Sequence, residues 1–270
     1  MSDFRKVSEF TVGLNLALGW AVMWKKPMLF LMITLLYLIT DSVLTYVLKG
    51  FFGPEALLLN MLLVLLFVGF IALFFWGAII YAVFMLLVNG SVSVSEAFQR
   101  SASRFFTVIM GSFVIIFLTW CVMLIIPLFV LSLIPENLVF IAAMIIMPVG
   151  LIFGSMLIAK WFVLYEACII EKTGVIEGLK RSSELTNGYR LKIFGIFFIA
   201  TSLLMIVVII PRLAFGNGLS GVIFSILTMI IPYTYALILL TIPYYSLRAV
   251  KENLMPDSLL PFQNKSNMQT

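Results

Sequence analysis

The chain has 270 residues, of which 63% are hydrophobic and 11% are charged, and its mean hydropathy is +1.18. So little polar surface cannot enclose a water-soluble core, which excludes a soluble globular protein and predicts a polytopic membrane protein. The net charge of +5 does not indicate nucleic-acid binding, because the basic residues lie between apolar blocks and form no long tract. The chain contains no histidine, which excludes imidazole proton transfer and histidine-rich metal sites.

The first apolar stretch, over residues 10–24, is weakly amphipathic and is followed by Lys25 and Lys26. A signal peptide is one interpretation of an early apolar stretch with flanking positive charge, but no cleavage site of small residues follows it. The stretch is too short to cross a bilayer. We therefore expect an interfacial helix with Trp20 and Trp24 at the level of the lipid headgroups.

Six longer apolar blocks predict six transmembrane helices, because a helix is able to satisfy all of its backbone polar groups inside lipid. The blocks cover residues 28–48, 57–88, 105–126 with a continuation to 134, 138–159 with a continuation toward 171, 191–210 and 222–244. The second block would be about 48 Å long as a helix, so we expect it to kink near Gly69 or Gly77 or to protrude inward. Residues 246–270 form a polar, loose tail in this interpretation.

Two polar segments between the blocks predict short amphipathic helices. Ser93 and Glu96 have the spacing of a capping box and start a helix that we expect to end at Arg104. The segment over residues 174–190 is the longest polar passage before the tail, and Glu177 occupies the position of a capping carboxylate. We expect its membrane-facing side to consist of Val175, Ile176, Leu179 and Ser183.

These segments belong to an internal repeat. The sequence Glu-Gly-Leu-Lys-Arg-Ser over residues 177–182 recurs as Glu-Ala-Phe-Gln-Arg-Ser over residues 96–101, and Leu14 aligns with the two glutamates in a fainter first copy. The repeat predicts a single membrane domain of units 8–90, 91–172 and 173–250, followed by a flexible tail over residues 251–270. The predicted fold is an all-α polytopic membrane helical bundle of six transmembrane helices, arranged as three hairpins, each preceded by a cytoplasmic amphipathic helix.

The distribution of lysine and arginine predicts the orientation. Fourteen of these residues fall on one side of the predicted spans, whereas Lys49 and Arg212 fall on the other. By the positive-inside rule, both termini are cytoplasmic. Because each unit contains two spans, the three units share one orientation.

Asp41 lies about two-thirds of the way across the first span, where an ionisable group is costly and by default indicates a functional site. A position near the headgroups or a helix-capping role is the structural alternative. Lys160 and Glu166 lie at the inward end of the fourth span and do not share a helix face. Glu166 is expected to pair with Arg181 or Arg100, with a gate or proton relay as the functional alternative.

The pairs Arg100-Ser101 and Arg181-Ser182 suit anionic lipid headgroups, since a guanidinium binds phosphate through two hydrogen bonds. Their charge also sets membrane topology, which is the alternative interpretation.

The remaining sequence features predict no reaction. Gly150 and Gly154 have the spacing that allows another helix to approach closely. Cys121 and Cys168 have no metal-ligand spacing and are interpreted as small buried side chains. The chain has no phosphate-binding glycine loop, nucleophile elbow or metal cluster, so we predict no catalysis, no cofactor and no metal.

One segment has a family resemblance. It begins with Tyr165-Glu166, passes through Gly174-Val175 and continues as Glu-Gly-Leu-Lys-Arg-Ser-Ser-Glu-Leu-Thr-Asn-Gly over residues 177–188. This pattern resembles YciC-like bacterial inner-membrane proteins, and it is similar to the membrane region of some glycerophosphodiester phosphodiesterases. In this sequence Gly178 stands where those families have alanine, and the copy at residues 96–101 lacks the Leu-Thr-x-Gly ending. The resemblance implies a bacterial inner-membrane location and a helical fold, and it implies no phosphodiesterase activity because that domain is missing.

Two functions are consistent with these observations. The first is a structural or accessory protein of the bacterial inner membrane that organises or senses lipid through its cytoplasmic amphipathic helices. The alternative is a transporter or channel for a small or lipidic substrate, and this alternative is supported by Asp41, the prolines and the repeat. The expected partners are membrane lipids, including anionic ones, and a membrane protein or a second copy of the chain, but not nucleic acid.

Overall fold

The computed structural model describes residues 10–51, 57–88, 90–215 and 219–252, and this part of the chain is helical without strands. Its α-helices are α1 (Val12–Lys25), α2 (Pro27–Phe51), α3 (Leu57–Val88), α4 (Val94–Trp120), α5 (Ile126–Ser132), α6 (Glu136–Lys160), α7 (Leu164–Ile170), α8 (Val175–Thr186), α9 (Arg190–Phe215) and α10 (Leu219–Glu252). A π-helical turn, Cys121–Ile125, joins α4 to α5.

Five apolar stretches of the described chain are long enough to cross a membrane, and the bent pair α8 and α9 makes a sixth. The five come from α2, from α3, from α4 with α5, from α6 with α7, and from α10. The described part of the chain is therefore all-helical, with five to six long apolar helices, which is consistent with the predicted helical membrane bundle.

The buried core lies where α1, the ends of α3 and α10, the start of α9 and the short helix α7 meet. Fully buried side chains there include Phe10, Ile80, Ile169, Ile193 and Tyr244. We call this part of the molecule the packed end. In the most apolar 18-residue stretch of the spans formed by α4 with α5 and by α6 with α7, only 11% of the residues are buried, against 72% in that of α10, so these two stretches face outward.

Helix α1 confirms the helix predicted over residues 10–24, and it packs against α10. The Tyr235 hydroxyl donates to the Leu16 carbonyl at 3.0 Å, and the Ser246 hydroxyl donates to the Asn15 amide oxygen at 2.9 Å. The outer face of α1 carries Trp20 and Trp24, which are 51% and 53% exposed. This exposure leaves both indole rings free to meet lipid.

Helix α3 has the bounds that the sequence predicts, and it continues through Gly69 and Gly77 without a break. Its last turns are buried in the packed end, where the Lys25 ammonium donates to the Leu86 carbonyl at 2.7 Å. Of the two alternatives for its excess length, a break at Gly69 or Gly77 is not observed, and the inward protrusion stays a prediction.

The amphipathic segment that begins at Ser93 is not a separate helix, contrary to the prediction. The backbone continues past Arg104, so the segment forms the first turns of α4. The Ser93 half of the predicted capping box is confirmed, because the Ser93 hydroxyl accepts from the Glu96 amide at 3.2 Å, whereas the Glu96 carboxylate accepts from the Tyr81 hydroxyl at 2.8 Å. At this boundary the side chains change from polar to apolar, but the segment contains no residue type that ends a helix, so the helix continues.

Beyond α4, the π-helical turn precedes Pro127, which cannot donate a backbone hydrogen bond and crowds the carbonyl four residues before it. The predicted close approach at Gly150 is confirmed, and the approaching segment is this turn. A Cβ atom at Gly150 would lie 2.6 Å from Pro127 Cγ and 3.2 Å from the Met123 carbonyl oxygen, and Gly154 lies against the Met123 side chain.

The fourth span was predicted to continue as one helix toward Glu171, but the structure breaks it. It ends at Lys160, and after Trp161–Val163 the short helix α7 begins at Leu164. The hydroxyl groups of Ser182 and Thr186 donate to the Lys160 carbonyl at 3.1 and 3.0 Å. Because these donors come from α8, a distant segment satisfies the end of α6.

Helix α8 confirms the second amphipathic segment, and the Gly174 amide donates to the Glu177 carboxylate at 3.4 Å as a cap. Ile176, one of the four residues expected to face the membrane, lies on the outside of the protein. Gly178, Ser182 and Leu185 face the protein, whereas Ile176 is 83% exposed. A small-residue face thus allows α8 to approach α7 closely.

Helix α10 is longer than predicted, and the polar tail does not begin at Ser246. The helix runs to Glu252, and Ser246, Leu247 and Arg248 are buried in the packed end. The rest of the predicted tail, residues 253–270, lies outside the described residues.

Candidate functional site

The two arginines of the repeat bracket the end of α7. The Arg100 guanidinium donates to the Ile169 carbonyl at 3.0 Å and to the Ile170 carbonyl at 3.5 Å. Arg181 binds the next residue, Glu171, through two hydrogen bonds of 3.0 Å, one from Nε and one from a terminal nitrogen. Free carbonyls at a helix C-terminus are favourable partners for cations, so both arginines stabilise this end of α7.

Arg181 belongs to a larger charge cluster that joins α8, the α7–α8 connection and α10. It also forms an ion pair with Glu252, and Arg248 binds Glu252 at 2.9 Å and lies 3.6 Å from Glu171. The Tyr244 hydroxyl donates to Glu171 at 2.7 Å. We call Glu171, Arg181, Tyr244, Arg248 and Glu252 the ionic cluster.

The ionic cluster contains two arginines and two glutamates, so its formal charges balance. Its members are partly buried, with side-chain exposures of 8% for Arg248, 14% for Glu171, 20% for Glu252 and 27% for Arg181. Mutual compensation leaves little charge to attract a ligand, and breaking a buried network of this kind is destabilising. The cluster therefore holds three chain segments together.

Glu171, Arg248 and Glu252 were absent from the residues predicted above. Glu171 and Glu252 have the same separation in sequence as the two copies of the repeated motif. Extending the repeat from the starts of the units to their ends would have identified both carboxylates. Arg248 has no such signal, because a single arginine in a polar stretch does not indicate burial.

The two serines of the repeat also lie inside the protein. Ser101 is buried and donates to the Phe74 carbonyl at 2.6 Å, and Ser182 is buried and donates to Lys160. The structure thus places Arg100, Ser101, Arg181 and Ser182 in internal contacts. Their use as headgroup ligands would require these contacts to break.

Glu166 is fully buried in α7, and neither carboxylate oxygen has a hydrogen-bond partner within the described residues. The expected pairing with Arg181 or Arg100 is wrong, because both guanidinium groups have the other partners described above. Burying an ionisable side chain without a partner is expensive, so Glu166 is an unusual feature of the packed end.

Asp41 lies on α2, partly exposed, in a group of polar side chains shared with α10. It interacts electrostatically with Tyr37 and Tyr233, whose rings stack with centroids 5.4 Å apart. One turn closer to the packed end, the Thr234 hydroxyl donates to the Thr34 hydroxyl at 2.8 Å. The structure does not bring Asp41 together with the repeat residues, which cluster around α7.

A search of the described residues finds no group of three or more cysteine, aspartate and glutamate side chains that could hold a metal ion. No family model, curated protein or solved structure matches this chain.

Proposed function

We propose that the chain is an accessory protein of the bacterial inner membrane that organises or senses lipid through amphipathic helices on its cytoplasmic side, without catalysing a reaction. The bias of lysine and arginine supports the placement of both termini in the cytoplasm. The resemblance to YciC-like proteins supports the bacterial inner membrane.

The observation that carries the proposal is the direction of α8. Helix α8 meets α9 at an angle of 104°. If α9 crosses the bilayer, α8 lies along the membrane surface, where an amphipathic helix contacts headgroups and the start of the acyl chains. Ile176 on this helix is 83% exposed. If α8 lies along the membrane surface, this apolar side chain inserts into the start of the acyl chains.

Helix α1 supports the same function from the opposite end of the chain. Trp20 and Trp24 are in edge-to-face contact at 5.7 Å on its exposed face, beside Lys25 and Lys26. Tryptophan is enriched at membrane interfaces because its ring is apolar and its indole nitrogen donates a hydrogen bond. In this proposal, lipid contact comes from Trp20, Trp24 and Ile176, while the paired arginines and serines hold the helices in place.

The test compares the full-length protein in vesicles of phosphatidylcholine with and without phosphatidylglycerol. Hydrogen exchange of the α8 amides is expected to slow in the anionic vesicles, because lipid that binds the docked helix suppresses its local opening. Ile176→Asp is expected to remove most of this protection, and Ile176→Val, which keeps an apolar side chain, to retain it. Equal exchange of wild-type α8 in both vesicles would overturn the proposal.

Transport of a small or lipidic substrate is the second candidate, and the polar contacts between α2 and α10 favour it. Thr34, Tyr37 and Asp41 face Tyr233 and Thr234 along two long apolar helices. Polar groups inside a membrane often mark a substrate or ion pathway. If Asp41→Asn leaves the flux of every tested ion and lipid unchanged in proteoliposomes, this candidate loses its support.

A further inference from the structure

Three cations gather around Tyr189 at the start of α9. The Lys192 and Lys251 ammonium groups lie 5.7 and 5.8 Å from the centroid of the Tyr189 ring. Arg190 directly follows Tyr189 and is the first residue of α9. We call Tyr189, Arg190, Lys192 and Lys251 the cation cluster.

The protein holds the two lysines of the cation cluster in place. The Lys192 ammonium donates to the Phe10 carbonyl at 2.9 Å, and the Lys251 ammonium donates to the Glu184 carbonyl at 2.6 Å. Tyr189 itself is in edge contact with Phe10, with ring centroids 5.3 Å apart. An ammonium has three donors, so each lysine keeps two of them for a ligand.

The positive charge of the cation cluster is not compensated by the protein. Within the described residues, Arg190, Lys192 and Lys251 form no ion pair, and Arg190 Nε is buried without a hydrogen-bond acceptor. The carboxylates of Glu171 and Glu252 are already bound by Arg181 and Arg248. Collecting like charges costs free energy, which a bound anion would offset.

The backbone at the same place also favours an anion. Helix α9 begins at Arg190, so its first amide groups and the positive end of its dipole lie at the cation cluster. Next to it, Leu191 is 80% exposed, and Phe198 on the same helix face is 62% exposed. Cations at the start of an exposed apolar stripe match a phosphate group that is attached to an acyl chain.

We propose that the cation cluster is a phosphate-binding site, with the phosphodiester of an anionic lipid or a free phosphate as its ligand. The lipid form of this inference rests on the lipid-binding function proposed above and names its headgroup site. The free-phosphate form stands without that function. Both forms predict contact of the ligand with the Lys192 and Lys251 ammonium groups and with the Arg190 guanidinium.

The first test measures lysine reactivity in the wild-type protein. The protein is acetylated in phosphatidylcholine vesicles, in vesicles that also contain phosphatidylglycerol, and in phosphatidylcholine vesicles with inorganic phosphate in place of chloride at equal ionic strength. Mass spectrometry then reports the reaction rate of each lysine. When the ligand is present, the reaction rates of Lys192 and Lys251 are expected to fall several-fold more than the reaction rate of Lys180. Lys180 is an exposed lysine of α8 and corrects for general effects of the surface.

Protection in the phosphatidylglycerol sample alone identifies the ligand as a lipid headgroup, and protection by inorganic phosphate identifies a free phosphate. If neither sample protects Lys192 and Lys251 beyond Lys180, the proposal is wrong.

The second test compares two double variants with the same change in charge. Lys192→Gln with Lys251→Gln is expected to weaken phosphatidylglycerol binding, counted by native mass spectrometry, by about tenfold or more, because two charge-assisted hydrogen bonds are lost. Glutamine keeps a polar side chain with a donor but is one atom shorter than lysine, so thermal unfolding of both double variants verifies that the fold is preserved. The control, Lys160→Gln with Lys172→Gln, changes two lysines outside α1, α8 and the cation cluster and is expected to bind as the wild type does.

The two proposals fail in different ways. Equal phosphatidylglycerol binding by the two double variants overturns the lipid site, while slower exchange of α8 in anionic vesicles would still support the proposed function. Conversely, protection by inorganic phosphate in a protein whose α8 ignores lipid composition would support the site and overturn the function.

Discussion

Ser101 and Ser182, which occupy equivalent positions in two units of the repeat, make the same kind of contact: each donates its hydroxyl to a backbone carbonyl of the preceding hairpin. The acceptors are Phe74 at 2.6 Å and Lys160 at 3.1 Å. Gly19, which aligns with these serines, packs against Tyr235 and Leu239 of α10. The two serines therefore join α4 to α3 and α8 to the end of α6, and α1 packs against α10.

The contact between α3 and α4 at Ser101 makes Gly77 sensitive to size. A Cβ atom at Gly77 would clash with Ser101 Oγ and would lie 3.3 Å from Ile169 Cδ1. Gly77→Ala is expected to destabilise the protein by about 1–3 kcal/mol through overpacking. Gly69→Ala, in the same helix with no neighbour within 4 Å, is expected to be neutral or to stabilise by up to about 1 kcal/mol. Thermal unfolding in one detergent checks both, and equal melting temperatures for the two variants would contradict the packing.

The ionic cluster predicts that substitutions of the neighbouring residues Arg181 and Lys180 differ in their effect on stability. Arg181→Gln leaves Glu171 and Glu252 with Arg248 as their remaining cation, so the variant is expected to lose about 1–3 kcal/mol of stability. Lys180→Gln removes the same charge from an exposed position on α8 and is expected to change stability by less than about 0.5 kcal/mol. Matching thermal stabilities for the two variants would show that the cluster does not hold the helix ends.

The apolar pattern predicted the helical class and the long helices, because a membrane span is a local property of the chain. The bounds of α3 follow directly from its apolar run, and the caps at Ser93 and Glu177 follow from residue types three positions apart. Two errors have a common physical origin. The break after Lys160 and the extension of α10 to Glu252 depend on partners that are distant in sequence, namely Ser182, Thr186 and Glu171.

The sequence predicted part of the membership of the candidate site but not the role of its residues. The sequence identified Arg100, Arg181 and their serines as special, and the structure gives all four specific contacts. A short motif does not show whether an arginine faces solvent or a helix end, because that depends on how the units pack. The interpretation of these pairs as headgroup ligands stays a prediction, while the lipid contacts proposed above use residues that face outward.

Glu166→Gln separates a structural role of this residue from a functional one. The carboxylate has no hydrogen-bond partner within the described residues, so replacement by an uncharged side chain of the same shape is expected to leave stability unchanged or to increase it. Thermal unfolding of the variant and the wild type measures the difference. A loss of more than about 1.4 kcal/mol, equivalent to tenfold in the folding equilibrium, would show that the charged form has a partner.

The proposed orientation is tested by two matched substitutions of exposed asparagines. Asn137 lies at the start of α6 and Asn187 follows α8, so the two positions are at opposite ends of the span formed by α6 and α7. In intact cells, Asn137→Cys is expected to react with a membrane-impermeant maleimide, and Asn187→Cys is expected to react only after permeabilisation, because the basic side faces the cytoplasm. The wild-type chain controls for Cys121 and Cys168, which are partly and fully buried. Reaction of Asn187→Cys in intact cells, with none at Asn137→Cys, would reverse the orientation and move both α8 and the cation cluster to the outer surface.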